Sequence, residues 1–308
     1  MRPYRIVSLD GGGIRGAYAA VLLERLEEAV PGFLAKTRLF AGTSTGGVLA
    51  LGLAAGMSPR ALGALYVEKG ARIFDDSWID DLKDLGGLAG ADYDSANLKT
   101  ALLGLFGKLT LGELPRRVLV SSFDLDNDDP DPTKRQWKPK FFHNFPGDDS
   151  DAGEAAVDVA MRTTAAPTKF PSYQGYIDGG VVANNPSMAA LAQALDGRNS
   201  RSERGRLEDI VLLSVGTGAS LRFIAGKTLD WGYAQWLKPL IAILLQGSAG
   251  VADYECRQLL GRRYCRLAPI FTEGHVIDDD DVGRVPELIG LAREADLGEA
   301  IRWLGKSW

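Results

Sequence analysis

The 308-residue chain predicts an α/β fold, a mostly parallel central sheet flanked by helices on both faces. Short apolar runs suited to buried strands alternate with segments whose apolar residues recur at helical spacing. Glycine-rich turns stand where two of those strands would pass into helices. Hydrophobic residues make up 45% and charged residues 24%, ordinary values for a globular domain, and no proline- or serine-rich stretch divides the chain. A single domain over residues 1–308 is expected, with the chemistry-bearing motifs in about 5–215 and residues 220–308 unassigned but packed on the same domain.

Residues 5–9, Arg5-Ile6-Val7-Ser8-Leu9, read as the first strand. The loop Asp10-Gly11-Gly12-Gly13-Ile14-Arg15-Gly16 follows, then an amphipathic helix with Val21, Leu22, Leu26 and Ala29 on one face. The same order of strand, glycine turn and helix repeats at 39–41 and 45–55. Ser58 is a good N-cap, and Pro59 suits the first position of a third helix. Further strands are expected at 118–123, 176–177 and 210–215, and further helices at 154–161, 186–195 and 286–304. The polar stretches 124–131, 197–206 and 278–281 read as surface loops.

The second glycine turn is Gly42-Thr43-Ser44-Thr45-Gly46, a GxSxG pentapeptide between an apolar strand and an apolar helix. It is the pattern of a nucleophile elbow, in which a sharp turn lifts a serine hydroxyl above the sheet at the positive end of a helix. Ser44 is therefore the candidate nucleophile. In the first loop, the backbone N–H groups of Gly11, Gly12 and Gly13 are candidates for an oxyanion hole. Arg15 adds a positive charge there, either for the oxyanion or head group or for a structural ion pair. A third segment, Tyr176-Ile177-Asp178-Gly179-Gly180, ends a short strand on an acid, and its glycines permit a close approach to Ser44. Asp178 is the candidate base, although a carboxylate of ordinary pKa about 3.9 needs a short hydrogen bond in a dry site to serve a hydroxyl.

Only His143 and His275 could supply an imidazole. His143 alternates with aromatics in Lys140-Phe141-Phe142-His143-Asn144-Phe145 and reads as a packed strand residue. His275 reads as a loop residue beside the acidic run.

Together, DGGGIRG at 10–16, GTSTG at 42–46 and DGG at 178–180 resemble the patatin-like phospholipases and lipid acyl hydrolases, in that family's order. The resemblance extends over most of 5–215, including the Asn184-Asn185-Pro186 step. It implies a three-layer sandwich related to the α/β-hydrolase type, a Ser44–Asp178 dyad without histidine, metal-free and cofactor-free chemistry, and an oxyanion hole from Gly11 to Gly13. The function it implies is cleavage of phospholipid or related lipid esters through an acyl-serine intermediate. A transacylase using the same residues and a catalytically silent storage or interaction protein are the alternatives.

Other classes fit poorly. A net charge of −5 argues against nucleic acid as the main partner. Dinucleotide binding expects an acid about 20 positions beyond the glycine loop, where this chain has Ala41-Gly42-Thr43, and no lysine follows Gly42 to make a phosphate-binding loop. The run Asp124-Leu125-Asp126-Asn127-Asp128 begins like a calcium loop but has Asp129 and Arg135 where glycine and glutamate belong. Cys256 and Cys265 suit neither a disulfide framework nor a zinc site, and no leader precedes the first strand, so a cytoplasmic protein is expected. The apolar stretch 237–245 is too short to span a bilayer, which takes about 20 residues. The broader segment 231–245, with Trp231, Tyr233, Trp236, Leu240 and Leu244, is either buried core or a face that meets lipid. Such an enzyme would act peripherally, on lipid esters at a membrane or micelle surface. No feature sets the oligomeric state.

Overall fold

The computed structural model describes residues 3–73, 93–220, 223–271 and 281–308. His275 and most of the acidic loop at 278–281 lie outside the described residues. In chain order the strands are β1 (Tyr4–Leu9), β2 (Leu39–Thr43), β3 (Arg117–Asp124), β4 (Lys138–His143), β5 (Tyr176–Asp178), β6 (Ile210–Val215), β7 (Ala219–Ser220), β8 (Tyr264–Leu267) and β9 (Ile270–Phe271). The helices of the first half are α1 (Gly16–Ala29), α2 (Phe33–Lys36), α3 (Thr45–Ala54), α4 (Pro59–Ile73) and α5 (Ser95–Phe106). Those of the second half are α6 (Ala156–Thr164), α7 (Gly180–Ala183), α8 (Ser187–Leu195), α9 (Tyr233–Leu260), α10 (Val285–Glu294) and α11 (Gly298–Ser307).

Seven strands form the main sheet in the order β4-β3-β2-β1-β6-β8, with β5 also paired to β3. β3, β2, β1, β6 and β8 run parallel to one another, whereas β4 and β5 are antiparallel to β3. Alternation along β1 feeds two cores: Val7 and Leu9 join one, Tyr4 and Ile6 the other. The first core takes Leu23 of α1, Leu49 of α3, Leu62 of α4, Leu102 of α5 and Leu288 of α10. The second takes Leu191 of α8 and Cys256 and Leu260 of α9. Helices therefore cover both faces, as the alternating pattern predicts.

Besides elements such as α2, α5, β7 and β9, which no predicted segment covers, three features depart from the sequence reading. The helix expected over 286–304 is two, because the chain leaves the helical region at Ala295 and the Asp296 carboxylate accepts the Gly298 N–H at 2.8 Å, opening α11 anew. Residues 233–245 of the segment 231–245 open a 28-residue helix that continues through Pro239 to Leu260. β8 escapes an apolar-run search because Arg266 interrupts it; that residue proves to bear on the glycine loop.

Candidate active site

Ser44 sits between β2 and α3 with φ 53° and ψ −125°, a conformation a side-chain-bearing residue adopts only under constraint. The strain therefore lies on the serine itself. The flanking glycines serve close approach instead: a Cβ at Gly42 would stand 2.0 Å from the Gly46 carbonyl oxygen, and one at Gly46 2.3 Å from that of Leu9. Neighbouring hydroxyls fix the turn. The Ser44 N–H donates to Thr163 Oγ1 at 2.8 Å, and that hydroxyl donates to the Ser121 carbonyl at 2.6 Å. Thr43 Oγ1 donates to the Ala183 carbonyl at 2.6 Å, and Thr45 Oγ1 is hydrogen-bonded to the buried Tyr66 hydroxyl. Burial pushes that phenol up to about 12.

Register along β3 brings Asp178 to the same place. β4 occupies one edge of β3 over 119–124. On the other edge, β2 ends with Thr43 opposite Ser121, and β5 takes over with Asp178 opposite Ser122. The elbow and the acid thus lie against adjacent residues of β3, about 3.3 Å apart along the strand. Asp178 is buried, its N–H donates to the Ala165 carbonyl at 2.9 Å, and its Oδ1 accepts the Gly180 N–H at 2.7 Å.

The glycine loop closes the third side. The Gly11 N–H donates to the Asn184 carbonyl at 3.0 Å, so it is already engaged, and Thr217 Oγ1 holds the Gly11 carbonyl at 2.9 Å. Gly12 and Gly13 lead into a short 3₁₀ turn, where N–H groups lack intrahelical acceptors. A side chain at Gly11 would stand 3.3 Å from Ser44 Cβ, which measures how near the loop comes to the elbow. The Arg15 guanidinium reaches the Gly12 and Gly218 carbonyls at 3.4 Å, bracing the loop.

Two residues take roles that the sequence reading did not give them. The Asn184 Oδ1 lies between Gly11 and Gly180, where Cβ atoms would stand 2.4 and 3.3 Å from it. Arg266 of β8 donates from Nη1 to Asp10 Oδ1 and to Ser214 Oγ, both at 2.8 Å, and from Nη2 to Asp10 Oδ2. Burial pushes the Asp10 carboxyl up while the guanidinium draws it back. The Asn-Asn-Pro step was visible in sequence without a role; nothing in Tyr264-Cys265-Arg266-Leu267 could have flagged Arg266.

An apolar cavity of about 70 Å³ opens beside Ser44 and Gly13, walled by Val48, Leu65, Ile73, Leu98 and Leu102. On the other side α9 crosses α7: Leu245 Cδ2 would lie 2.8 Å from a Cβ at Gly180, and the Asn184 N–H donates to Ser248 Oγ at 3.4 Å. Several side chains of the preceding turns of α9 are exposed. Tyr233 is 98%, Leu240 44%, Ile243 45% and Leu244 52% exposed, so of the two sequence readings of 231–245 the buried one does not hold at these residues. His143 is buried in β4 beside Phe145, as its alternation with aromatics predicts, and burial holds its imidazole below the usual histidine range. Among the described residues there is no cluster of three or more metal-binding side chains, and no helix is long and apolar enough to cross a membrane.

Comparison with known proteins gives the chain a family. A family model described as patatin-like phospholipase matches residues 7–191, so the chain belongs to the patatin-like phospholipase family, whose members hydrolyse lipid esters. CotR of Bacillus subtilis, named a sporulation hydrolase, is 31% identical over 100% of this chain and 99% of its own length. A cGAMP-activated phospholipase of Pseudomonas aeruginosa is 33% identical over 86% of this chain and 78% of its own. Among solved structures, VipD from Legionella pneumophila matches with a TM-score of 0.39 and 13% identity over 94% of this chain and 67% of that one.

Proposed function

We propose that the protein is a metal-independent serine lipid acyl hydrolase of phospholipase A or lysophospholipase type, working through a Ser44–Asp178 dyad. The register along β3 that sets Asp178 at the end of β2, where the chain turns into Ser44, carries this reading. Ser44 Oγ attacks the ester carbonyl as its proton passes to the Asp178 carboxylate. The oxyanion is received by the N–H groups of Gly12 and Gly13, with Arg15 and Asn184 holding their loop. The alcohol leaves with that proton, and water, deprotonated by Asp178, then resolves the acyl-Ser44 ester. The apolar cavity beside Ser44 suits the start of an acyl chain, and the exposed apolar residues of α9 suit the surface of a membrane or micelle. The two cysteines are unpaired, in keeping with a peripheral enzyme of the cytoplasm.

A panel of phospholipids, lysophospholipids and neutral esters, assayed for released fatty acid with wild type and Ser44→Ala, tests the proposal. Release from at least one phospholipid class that vanishes in the variant supports it. A folded wild type that releases no fatty acid from any lipid contradicts it.

A further inference from the structure

A cleft of about 770 Å³ lies not at Ser44 but at the opposite end of the sheet. It lies where β1, β2, β3 and β6 begin, lined by Tyr4, by Arg38 just before Leu39, by Arg117, and by Asp209 just before Ile210. Parallel strands carry Ser44 and the glycine loop at their other ends, so the six residues of β1 separate the two sites by about 3.3 Å each.

Eight of its eighteen lining residues are lysine or arginine and two are acidic, a local surplus of six positive charges in a chain whose net charge is −5. Internal pairing does not remove that surplus. Glu203 is held by Arg117, through two hydrogen bonds of 3.0 Å, and by Arg38 at 3.6 Å. Asp209 faces Arg206 at 4.0 Å, and Arg206 is also paired with Glu208 just outside the lining, which leaves the surplus at about five. Lys36, Arg116, Arg201 and Arg204 have no carboxylate partner among the described residues; Arg116 and Arg204 donate to the Ala35 and Leu195 carbonyls, which fixes their direction without neutralising them. Like charges gathered in one concavity repel, and a bound polyanion reverses the sign of that energy. Guanidinium forks match phosphate oxygens, and the volume falls in the range of about 300–1,000 Å³ typical of small-molecule sites.

We infer that this cleft binds a soluble ligand carrying two or more phosphate groups. The location separates a soluble ligand from a lipid head group, because an enzyme seated on a bilayer through α9 and the Ser44 face turns this end of the sheet toward water. The choice of a soluble ligand rests on that proposed seating, whereas polyphosphate binding itself does not depend on the Ser44 chemistry.

Isothermal titration with pyrophosphate and with ATP tests it, alongside vesicles containing phosphatidic acid and a single-stranded RNA oligomer. Wild type should bind pyrophosphate or ATP with Kd below about 100 μM at low salt, weakening as salt rises from about 50 to about 150 mM. Lys36→Glu with Arg201→Glu should weaken that binding by about tenfold or more, while thermal stability and ligand-free activity on a short-chain ester stay at wild-type levels. If the charge reversals impair folding, Lys36→Ala with Arg201→Ala carries the same test, with an expected loss of about threefold or more. Kd above about 1 mM for both soluble probes, affinity unchanged in the variants, or binding confined to the vesicles or the RNA would overturn the inference.

Discussion

At the residue scale the account rests on Ser44, held at φ 53° in a turn whose N–H is bonded to Thr163. Ser44→Ala and Asp178→Asn should each lower kcat by about 10³ or more, and the double variant little further, because groups that act as a unit are lost together. Multiplicative losses in fatty-acid release would show that the two act separately. Gly12 stands at φ 157°, and a side chain there would meet Thr217, so Gly12→Pro displaces the loop as well as removing a backbone donor and should lower kcat by about 10² or more. An unchanged kcat would remove the loop from the reception of the oxyanion. Legibility at this scale was uneven. Ser44, Asp178 and the glycine loop were readable because their local patterns demand unusual backbone or close approach. Asn184 and Arg266 were not, because their roles depend on contacts with Gly11 and Asp10 from far along the chain.

At the element scale, α9 and β4 make distinct predictions. The exposed residues of α9 should raise activity on micelles or vesicles above that on monomeric short-chain esters. Leu240→Glu with Leu244→Glu should abolish that excess and spare short-ester turnover, since burying each such side chain contributes about 1.5 to 3 kcal/mol. An undiminished preference for micelles in the folded variant would place the lipid surface elsewhere. In β4, burial depresses the folded-state pKa of His143, so its contribution is present above the unfolded value, about 6.5, and is lost as pH falls and the unfolded chain takes up the proton. The thermal midpoint should therefore drop less between about pH 7 and about pH 5 in His143→Gln than in wild type, with activity kept within about tenfold. An identical pH slope would remove His143 from the balance. Most strands and helices were legible from apolar periodicity. The break between α10 and α11 was missed because a turn at Asp296, whose carboxylate accepts the Gly298 N–H, interrupts a helical pattern that continues through it.

At the scale of the whole molecule, the family motifs end before the structure does. β8 extends the sheet beyond β6, and its Arg266 is the buried partner of Asp10 at the head of the glycine loop. Removing residues 221–308 would strand that carboxylate, a loss of about 3 to 5 kcal/mol by itself against a total stability of about 5 to 15. The shortened chain should show no cooperative thermal transition by circular dichroism; a sharp one would make residues 1–220 an independent unit. Sequence offered only the apolar segment 231–245 here, because the edge strand, the Arg266–Asp10 pair and the helices that complete both cores leave no local motif.

The central claim is that Ser44 is the nucleophile and Asp178 its base. Peptide mapping after fluorophosphonate treatment tests it most directly. A single adduct on the Ser44 peptide is predicted, formed at least about 10²-fold more slowly in Asp178→Asn and at nearly the wild-type rate in His143→Gln. An adduct on another serine, or Asp178→Asn labelling as fast as wild type, would contradict it.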